Sequence, residues 1–592
     1  MRKRLPVLVV VTALAVAFPA PSALAQATVG AQDSRVTGQL YVRHDGGTDD
    51  AIKSCNDDDP ANPMGANVQN NEPFSVVSPT NPDLVIAGWN DYCSDWMGLG
   101  FSTDGGDTWT NSLVPGYPAD TSEEGMDSPV FGRANAASDP VGAFDRTGEH
   151  FYFGSISYNQ FAGPGTNSDV WVARYDVLQP GEDDYATYPL DYVDTTLVGK
   201  GPPAANFFGI FHDKEMIEVD RTGGRFDGNL YECWTKFPGF GTSRIYVARS
   251  TDNGETFTNG ISVAGKTSGQ GCDIAVEADG DVYISWRDFE TSSSHRNFGV
   301  SVVRSDDGGL TFSKPVKIAD ITGYNPFDTA RDCGDGTELC PSEFVFSRVP
   351  LEPRLTSDPT GELEGVFSVW QASDPDTIET SETSYSSTGP GTSGTDDVAQ
   401  GAVYISRSVD DGQTWGAAVR VSDVPIGHQF FPDADALAGR LAVMWQDSRP
   451  DPCYDVQLPI GNTPDATSCG TSIVDTFVAV SGDGETFDPA VRASSVANQP
   501  QYEMFADRQV PFYGDYNWIQ LVEVGGGSLY GYLAWTDNRD VVAGTDPREE
   551  VQDGFDVHQC RSLQPDGTYG PDTCPNAGGL NQNIYGNSVT IP

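Results

Sequence analysis

The chain has 592 residues, of which 38% are hydrophobic and 11% aromatic, so it is long enough to bury a large core. Its formal net charge is −51 at pH 7, which repels polyanions and excludes nucleic acid and anionic membranes as expected partners. The 65 glycines and 40 prolines follow no collagen period and predict the many tight turns of an all-β protein.

The first 25 residues predict a secretory signal peptide. Basic residues at positions 2–4 precede an apolar run at 5–18, and small residues follow up to Ala25. The apolar run is shorter than the roughly 20 residues of a membrane span. We therefore expect cleavage after Ala25, export, and no membrane span in the mature protein.

Ten cysteines in an exported chain predict disulfide bonds. Proximity along the chain suggests five pairs, although other connectivities remain open: Cys55–Cys93, Cys233–Cys272, Cys333–Cys340, Cys453–Cys469 and Cys560–Cys574. None has the short paired spacing of a zinc site, so structural zinc is not predicted. The acidic run at 56–59 keeps calcium open as a stabilising ion, with a solvated loop as the alternative.

A strand pattern recurs along the chain after residue 65. Alternating apolar and polar residues predict half-buried strands, most of which end in a tryptophan that is often followed by an aspartate. Seven such segments end near Trp89, Ser155, Trp234, Trp286, Trp370, Trp445 and Trp535.

A turn motif follows most of these strands. The pattern Ser-x-Asp-x-Gly-x-Thr-aromatic occurs at 102–109, 250–257, 305–312 and 408–415, and a copy one residue shorter occurs at 481–487. Glycine supplies a positive φ, and Ser and Asp bind backbone amides across the turn. The motif therefore predicts a tight hairpin turn with a structural role.

Together the two repeats predict units of four strands, which are the blades of a β-propeller. Seven blades are favoured, and six is the alternative if the first or last unit is incomplete. The expected divisions are a signal peptide at 1–25, an N-terminal extension at 26–65 and the propeller at 66–592. The polar stretch at 379–397 is expected to be an unpacked insertion in the fifth blade.

The turn motif resembles the Asp box, or BNR repeat, of the sialidase and neuraminidase superfamily. The segments SDPVGAFD, DKEMIEVD and GDYNWI also resemble exported bacterial proteins that are called sialidase-like because of their repeats. Active sialidases use three arginines on the substrate carboxylate, a Tyr nucleophile activated by a Glu, and an Asp acid/base. Their first arginine stands in an Arg-Ile-Pro motif, but residues 71–73 here are Asn-Glu-Pro, and the nearest match is Arg-Val-Pro at 348–350.

Propeller geometry places the starts of the innermost strands on the face opposite to the turn motifs. Six acidic residues are expected there: Glu72, Asp139, Asp213, Asp273, Asp433 and Asp515. Carboxylates that converge on one axis suit acid/base chemistry or cation binding. The alternative is that each caps its own strand or pairs with a neighbouring arginine.

Candidate catalytic and binding residues follow from this placement. Asp139 or Asp213 is the candidate acid, and Tyr516, next to Asp515, is a candidate nucleophile or channel-lining residue. Three arginines at the ends of strands are candidate ligands for a substrate carboxylate: Arg287, Arg449 and Arg539. The alternative is that each arginine pairs with the aspartate of its own loop.

Two functions remain open from the sequence. One is a secreted, exo-acting glycoside hydrolase that cleaves sialylated or other glycans without a cofactor. The other is a non-catalytic propeller that binds glycans or proteins at the cell surface. In either case a glycan or glycoprotein partner and a monomeric state are expected.

Overall fold

A computed structural model shows an almost entirely β-stranded chain. It describes residues 26–38, 41–55, 69–159, 167–202, 209–239, 243–265, 268–289, 297–328, 352–388, 397–458, 460, 473–500, 502–505, 510–541 and 581–592. The expected signal peptide, the acidic run at 56–59 and the Arg-Val-Pro segment lie outside these residues. Within them, no helix has the length and apolar character needed to cross a membrane.

Seven antiparallel sheets form the blades of a propeller, which confirms the all-β fold and the count of seven. The strands of each blade are lettered A to D from the axis outward. Blades 1 to 3 consist of Asn70–Ser78, Asn81–Asp91, Trp96–Ser102 and Thr110–Leu113; of Ala136–Phe144, His150–Tyr158, Ser168–Val177 and Leu190–Gly199; and of Ile210–Val219, Leu230–Pro238, Arg244–Ser250 and Ile261–Ser262.

Blades 4 to 6 consist of Ser268–Val276, Val282–Phe289, Asn297–Ser305 and Val316–Thr322; of Arg354–Ser357, Val366–Ser373, Gly401–Ser408 and Val419–Arg420; and of Gln429–Leu437, Arg440–Asp447, Asp475–Ser481 and Val491–Arg492. Blade 7 consists of Trp518–Val524, Ser528–Asp537 and Asn583–Ile591, with Thr28–Val29 and Ser34–Arg35 as its outer edge.

The seven A strands form a closed ring. Each contacts the A strand of the next blade, and the A strand of blade 7 contacts that of blade 1. The outer edge of blade 7 comes from the other end of the chain, because Thr28 pairs with Thr590 and Ser34 with Gly586. Residues 28–35, which the sequence placed in an N-terminal extension, therefore close the last sheet.

The recurring tryptophans belong to the cores of the blades. Trp286, Trp445 and Trp535 are fully buried on B strands. Each donates its indole N–H to the aspartate two positions later, at 3.2, 2.9 and 3.0 Å respectively. The Trp-x-Asp pattern is therefore a device that satisfies a buried indole at the end of a strand.

The five predicted turns share one set of hydrogen bonds and follow the C strands of blades 1, 3, 4, 5 and 6. In the first, Asp104 accepts from the amide of Thr108 at 2.9 Å and from its hydroxyl at 2.6 Å, while Ser102 accepts from the amide of Gly106 at 2.8 Å. Equivalent bonds hold the other four turns. The Ser and Asp side chains are thus occupied in the turn.

The polar stretch at 379–397 is more ordered than its composition suggests, so the expectation of an unpacked insertion is wrong for its described part. Glu379–Thr380 pairs with Asp397–Val398, and Tyr385–Thr388 pairs with Tyr324–Asp328. Tyr385 is 1% exposed. The segment is held by main-chain pairing and by one buried aromatic ring, and neither contact can be inferred from the average polarity of its residues.

Two of the suggested disulfides are present: Cys55–Cys93 and Cys233–Cys272. The second links the B strand of blade 3 to the A strand of blade 4. Cys453 is also disulfide-bonded, and its expected partner Cys469 lies outside the described residues. The remaining two suggested pairs lie outside them as well. One more strand pair, Glu503–Phe505 with Val510–Pro511, and three short helices complete the described structure. The helices are Asp50–Cys55, Glu123–Asp127 and the 3₁₀ turn Pro375–Thr377.

Candidate active site

The A strands begin with a recurring backbone irregularity. The pairing register between strands A and B shifts near the start of five blades. At these shifts Glu72, Asp139, Lys214 and Phe431 have φ between 50 and 59°, a region that side-chain-bearing residues rarely adopt. Such bulges re-aim side chains and concentrate at functional sites. Here they turn charged groups towards the channel mouth.

Lys214 lies at the centre of a buried charge cluster. Its Nζ is 2.7 Å from Asp515 Oδ2, 2.9 Å from Asp139 Oδ1 and 3.3 Å from Glu72 Oε1. No side chain of the four is more than 7% exposed. Burial acts to lower the pKa of Lys214, but the three carboxylates outweigh it and raise that pKa well above 10.5. The ammonium therefore joins blades 1, 2, 3 and 7.

Backbone amides and the Asn90 side chain hold the carboxylates of this cluster in place. Asn90 donates through Nδ2 to Glu72 Oε2 at 2.6 Å and accepts from the amide of Asp139 at 3.0 Å. Asp139 also accepts from the amide of Lys214 at 3.3 Å. Each carboxylate of blades 1 and 2 is thereby held in one orientation.

Tyr516 lies between two cations. The Nζ of Lys214 is 5.5 Å from its ring centroid, and the Cζ of Arg354 is 5.2 Å away. The hydroxyl donates to the carbonyl oxygen of Pro140 at 3.1 Å. Burial, together with two carboxylates of the cluster, raises the pKa of Tyr516 well above 10. The side chain is therefore a neutral phenol.

Asp213 lies beside the cluster of carboxylates around Lys214. Burial and the charge of Asp139 raise the pKa of Asp213 to about 7. Its Oδ2 accepts from Gln270 Nε2 at 2.7 Å, and Arg287 donates to Gln270 Oε1 at 3.1 Å. Arg287 is thus connected to Asp213 through the Gln270 side chain, and it is 4% exposed.

Each of the other two candidate arginines pairs with two carboxylates, one of them in its own loop. Arg449 pairs with Asp423 at 3.0 Å and with the aspartate two residues before it at 2.8 Å. Arg539 pairs with Asp33 at 2.8 Å and with the corresponding aspartate at 2.6 Å. These contacts match the alternative in which each arginine neutralises a local carboxylate.

Two small cavities meet at Arg354. One, of about 70 Å³, lies in the channel and is bordered by Asp273, Asp433 and Trp518. Burial raises the pKa of Asp273 to about 7 and that of Asp433 to about 6, against the opposing charge of Arg354. The other cavity, of about 20 Å³, is bordered by Arg354, Gln371 and Tyr516.

The described residues offer little to a metal ion. Cys55, Asp91 and Cys93 form the one group of potential ligands found within 4.8 Å of one another among them. Since the two cysteines form a disulfide, no thiolate is available there. The calcium hypothesis was based on residues 56–59, which lie outside the described chain.

The structure thus brings Asp139, Asp515 and Tyr516 together around Lys214, with Asp213 alongside. Three residues of the site were not predicted from the sequence: Lys214, Arg354 and Gln371. A signal for Lys214 was present, because it stands in blade 3 where Glu72 and Asp139 stand in blades 1 and 2. Arg354 and Gln371 carry no comparable local pattern.

The chain has distant similarity to several solved structures. No protein-family model and no curated protein matches it. Among solved structures it is similar to a Hadza microbial sialidase, with 12% identity, 76% of this chain and 72% of the other covered, and a TM-score of 0.36. It is also similar to the α-L-arabinofuranosidase Arb93A of Fusarium graminearum, with 11% identity, 76% and 91% covered, and a TM-score of 0.35.

A third similar structure is a protein of unknown function from Dyadobacter fermentans. It shares 12% identity, with 89% of this chain and 96% of the other covered, and a TM-score of 0.35. At these identities and scores the likenesses carry no argument about activity. The function has to be argued from the side chains at the channel mouth.

Proposed function

We propose that the protein is a secreted, exo-acting glycoside hydrolase whose active site is the channel mouth. The observation that supports this most is the position of Asp213 beside the carboxylates that contact Lys214. Glycoside hydrolysis needs a carboxylic acid that keeps its proton near neutral pH beside carboxylates that are ionised. Asp213, with a pKa of about 7, stands beside carboxylates that contact an ammonium group.

Each residue has a role in this proposal. Asp213 is the general acid that protonates the leaving oxygen, because Asp139 is held as the partner of Lys214. Tyr516 is the nucleophile, and as a buried neutral phenol it has to pass its proton to a neighbouring carboxylate when it attacks. Asp515 and Arg287 contact the substrate. Arg449 and Arg539 have no part in it, because loop carboxylates neutralise both.

Turnover of fluorogenic glycosides tests the proposal directly. The panel contains sialosides, hexosides, pentosides and N-acetylhexosaminides with one common leaving group. At least one is hydrolysed, and kcat falls as pH rises above about 7, since Asp213 then loses its proton. Asp213→Asn lowers kcat by at least about 100-fold. Asp320→Asn, at a side chain that is 67% exposed, is the matched control and leaves kcat unchanged.

A second variant tests whether Tyr516 is the nucleophile or only lines the channel. Tyr516→Phe removes only the hydroxyl and abolishes turnover if that oxygen attacks the sugar. A modest loss assigns Tyr516 to the lining of the site. An absence of turnover across the whole panel by the unaltered protein contradicts the hydrolase proposal.

The second candidate function is a non-catalytic propeller that binds glycans or proteins at the cell surface. It is favoured by the internal neutralisation of Lys214, Arg449 and Arg539, which needs no substrate. Binding on a glycan array that survives Tyr516→Phe, with no turnover, supports this function. Absence of binding on the array and in protein pull-downs contradicts it.

Secretion and the monomeric state are part of the proposal and are supported by residues 1–25 and the acidic composition. Intact mass of protein from the culture medium checks cleavage after Ala25, and light scattering checks the oligomeric state. A mass that retains the first 25 residues contradicts the predicted cleavage.

A further inference from the structure

The cations described at the channel mouth already face carboxyl groups. Lys214 contacts three of them, and Arg449 and Arg539 contact two each. Arg354 pairs with one at 3.5 Å and lies near two more, and Arg287 lies near the carboxyl of Glu352. Within the part of the chain that the structure describes, an acidic sugar that enters here therefore meets no cation that lacks a carboxyl partner. It meets instead the field of a chain with a net charge of −51.

Two buried donors in the same place still lack acceptors. Arg354 Nη2 and Gln371 Nε2 have no hydrogen-bond partner among the described residues, and their side chains are 2% and 4% exposed. Both residues border the cavity of about 20 Å³ next to Tyr516. That volume accommodates one water-sized group. Buried donors call for an acceptor oxygen, and a sugar hydroxyl or an acetamido carbonyl supplies one without adding charge.

We infer that the site takes uncharged sugars: its substrate class is a neutral glycan whose terminal ring presents a hydroxyl or acetamido oxygen to Arg354 and Gln371. This inference rests on the proposed function, whose site it uses. An acidic ring is rejected because its carboxylate lies against Asp515 and Glu352, and like charges brought together oppose binding.

A matched pair of substrates tests the charge alone. An aryl glucoside and the corresponding aryl glucuronide differ only in oxidation at one carbon. N-acetylhexosaminides and sialosides are compared as a second neutral and acidic pair, which differs in carbon skeleton as well as in charge. We expect the neutral member of at least one pair to have a kcat/KM at least about 100-fold higher than its acidic partner. Faster turnover of a glucuronide or sialoside overturns the inference and leaves the proposed hydrolase intact.

Equilibrium binding decides the case in which nothing is hydrolysed and the proposed function fails. Calorimetric titration compares glucose with glucuronate and N-acetylglucosamine with N-acetylneuraminate. Tighter binding of the neutral sugars supports the inference. Tighter binding of the acidic sugars, or no binding of any of the four, overturns it.

Two variants tie the selectivity to the named side chains. Glu352→Gln removes one carboxyl from the mouth and narrows the preference for neutral over acidic sugars by at least about 10-fold. Gln371→Leu removes an unpartnered donor and weakens the binding of neutral sugars by about 10-fold. Asp320→Asn removes a negative charge elsewhere on the surface and changes neither ratio. An unchanged preference in Glu352→Gln overturns the electrostatic basis of the inference.

Discussion

Replacing Lys214 by methionine tests whether the charge cluster depends on a single ammonium group. Methionine has a similar length without the charge, so three carboxylates, none more than 6% exposed, lose their counter-ion. Removing one partner of a buried ion pair costs about 3–5 kcal/mol. With an unfolding entropy of about 2.1 cal/mol/K per residue over 592 residues, the melting temperature falls by about 2–4 °C.

The pH dependence of this loss identifies its electrostatic origin. The pKa of Lys214 is raised above 10.5, so its stabilisation is complete below pH 10.5 and disappears only as pH rises through the higher folded value. In Lys214→Met the orphaned carboxylates have to bind protons to remain buried. The deficit of the variant is therefore larger at pH 8 than at pH 5, as urea titrations and calorimetry at both values measure.

Two further proteins complete this experiment. Lys53→Met, at a side chain that is 60% exposed, is the matched control and changes the unfolding free energy by less than about 0.5 kcal/mol. Adding Glu72→Gln to Lys214→Met recovers part of the loss, because one fewer carboxylate is left without a partner. If Lys214→Met is as stable as Lys53→Met at both pH values, the reasoning about the cluster is refuted.

Burial raises the pKa of Glu232 well above 4.5, so above that pH the unfolded state loses a proton that the folded state keeps, and stability falls by about 1.4 kcal/mol per pH unit. Glu232→Gln flattens this slope in urea titrations, and an unchanged slope contradicts the prediction. Asp307→Ala removes the acceptor for both the amide and the hydroxyl of Thr311, so we expect the free energy of unfolding measured by calorimetry to fall by about 1–2 kcal/mol. Because this turn lies on the face opposite the channel mouth, kcat/KM stays unchanged. A fall in kcat/KM with no loss of stability disproves a structural role. Replacing both Cys233 and Cys272 by serine opens a loop with a sequence separation of 39 and lowers the free energy of unfolding by about 4 kcal/mol. Equal denaturation midpoints for the unaltered protein and the double variant contradict this prediction.

The number of blades could be predicted from the sequence because its signals are local. Alternating polarity and a terminal tryptophan indicate a B strand, as at Trp445. A motif whose hydrogen bonds span only a few residues indicates a turn between strands C and D, as at Asp104. The pairing of Arg449 and Arg539 with nearby aspartates could be anticipated for the same reason, because each of these partners stands only two positions away along the chain. Contacts of this range follow from the sequence alone.

The centre of the site could not be predicted, because its contacts join parts of the chain that only ring closure brings together. Lys214 meets Glu72 and Asp515 across several blades. The segment Asp213 to Glu215 has three ionisable side chains in succession, and nothing in its composition tells which one faces the axis. That is decided by the bulge, which gives Lys214 a φ of 52°.

The closure of blade 7 ties the earliest part of the described chain to the latest. Since Thr28 pairs with Thr590, the sheet of blade 7 is complete only when both segments are available, and its formation has to await a contact of very large sequence separation. Without residues 28–35 the strand Asn583–Ile591 has an open edge that invites pairing with another chain. A circular permutant that moves those residues behind Ile591 would turn this distant closure into a hairpin, and it would fold faster into the same ring.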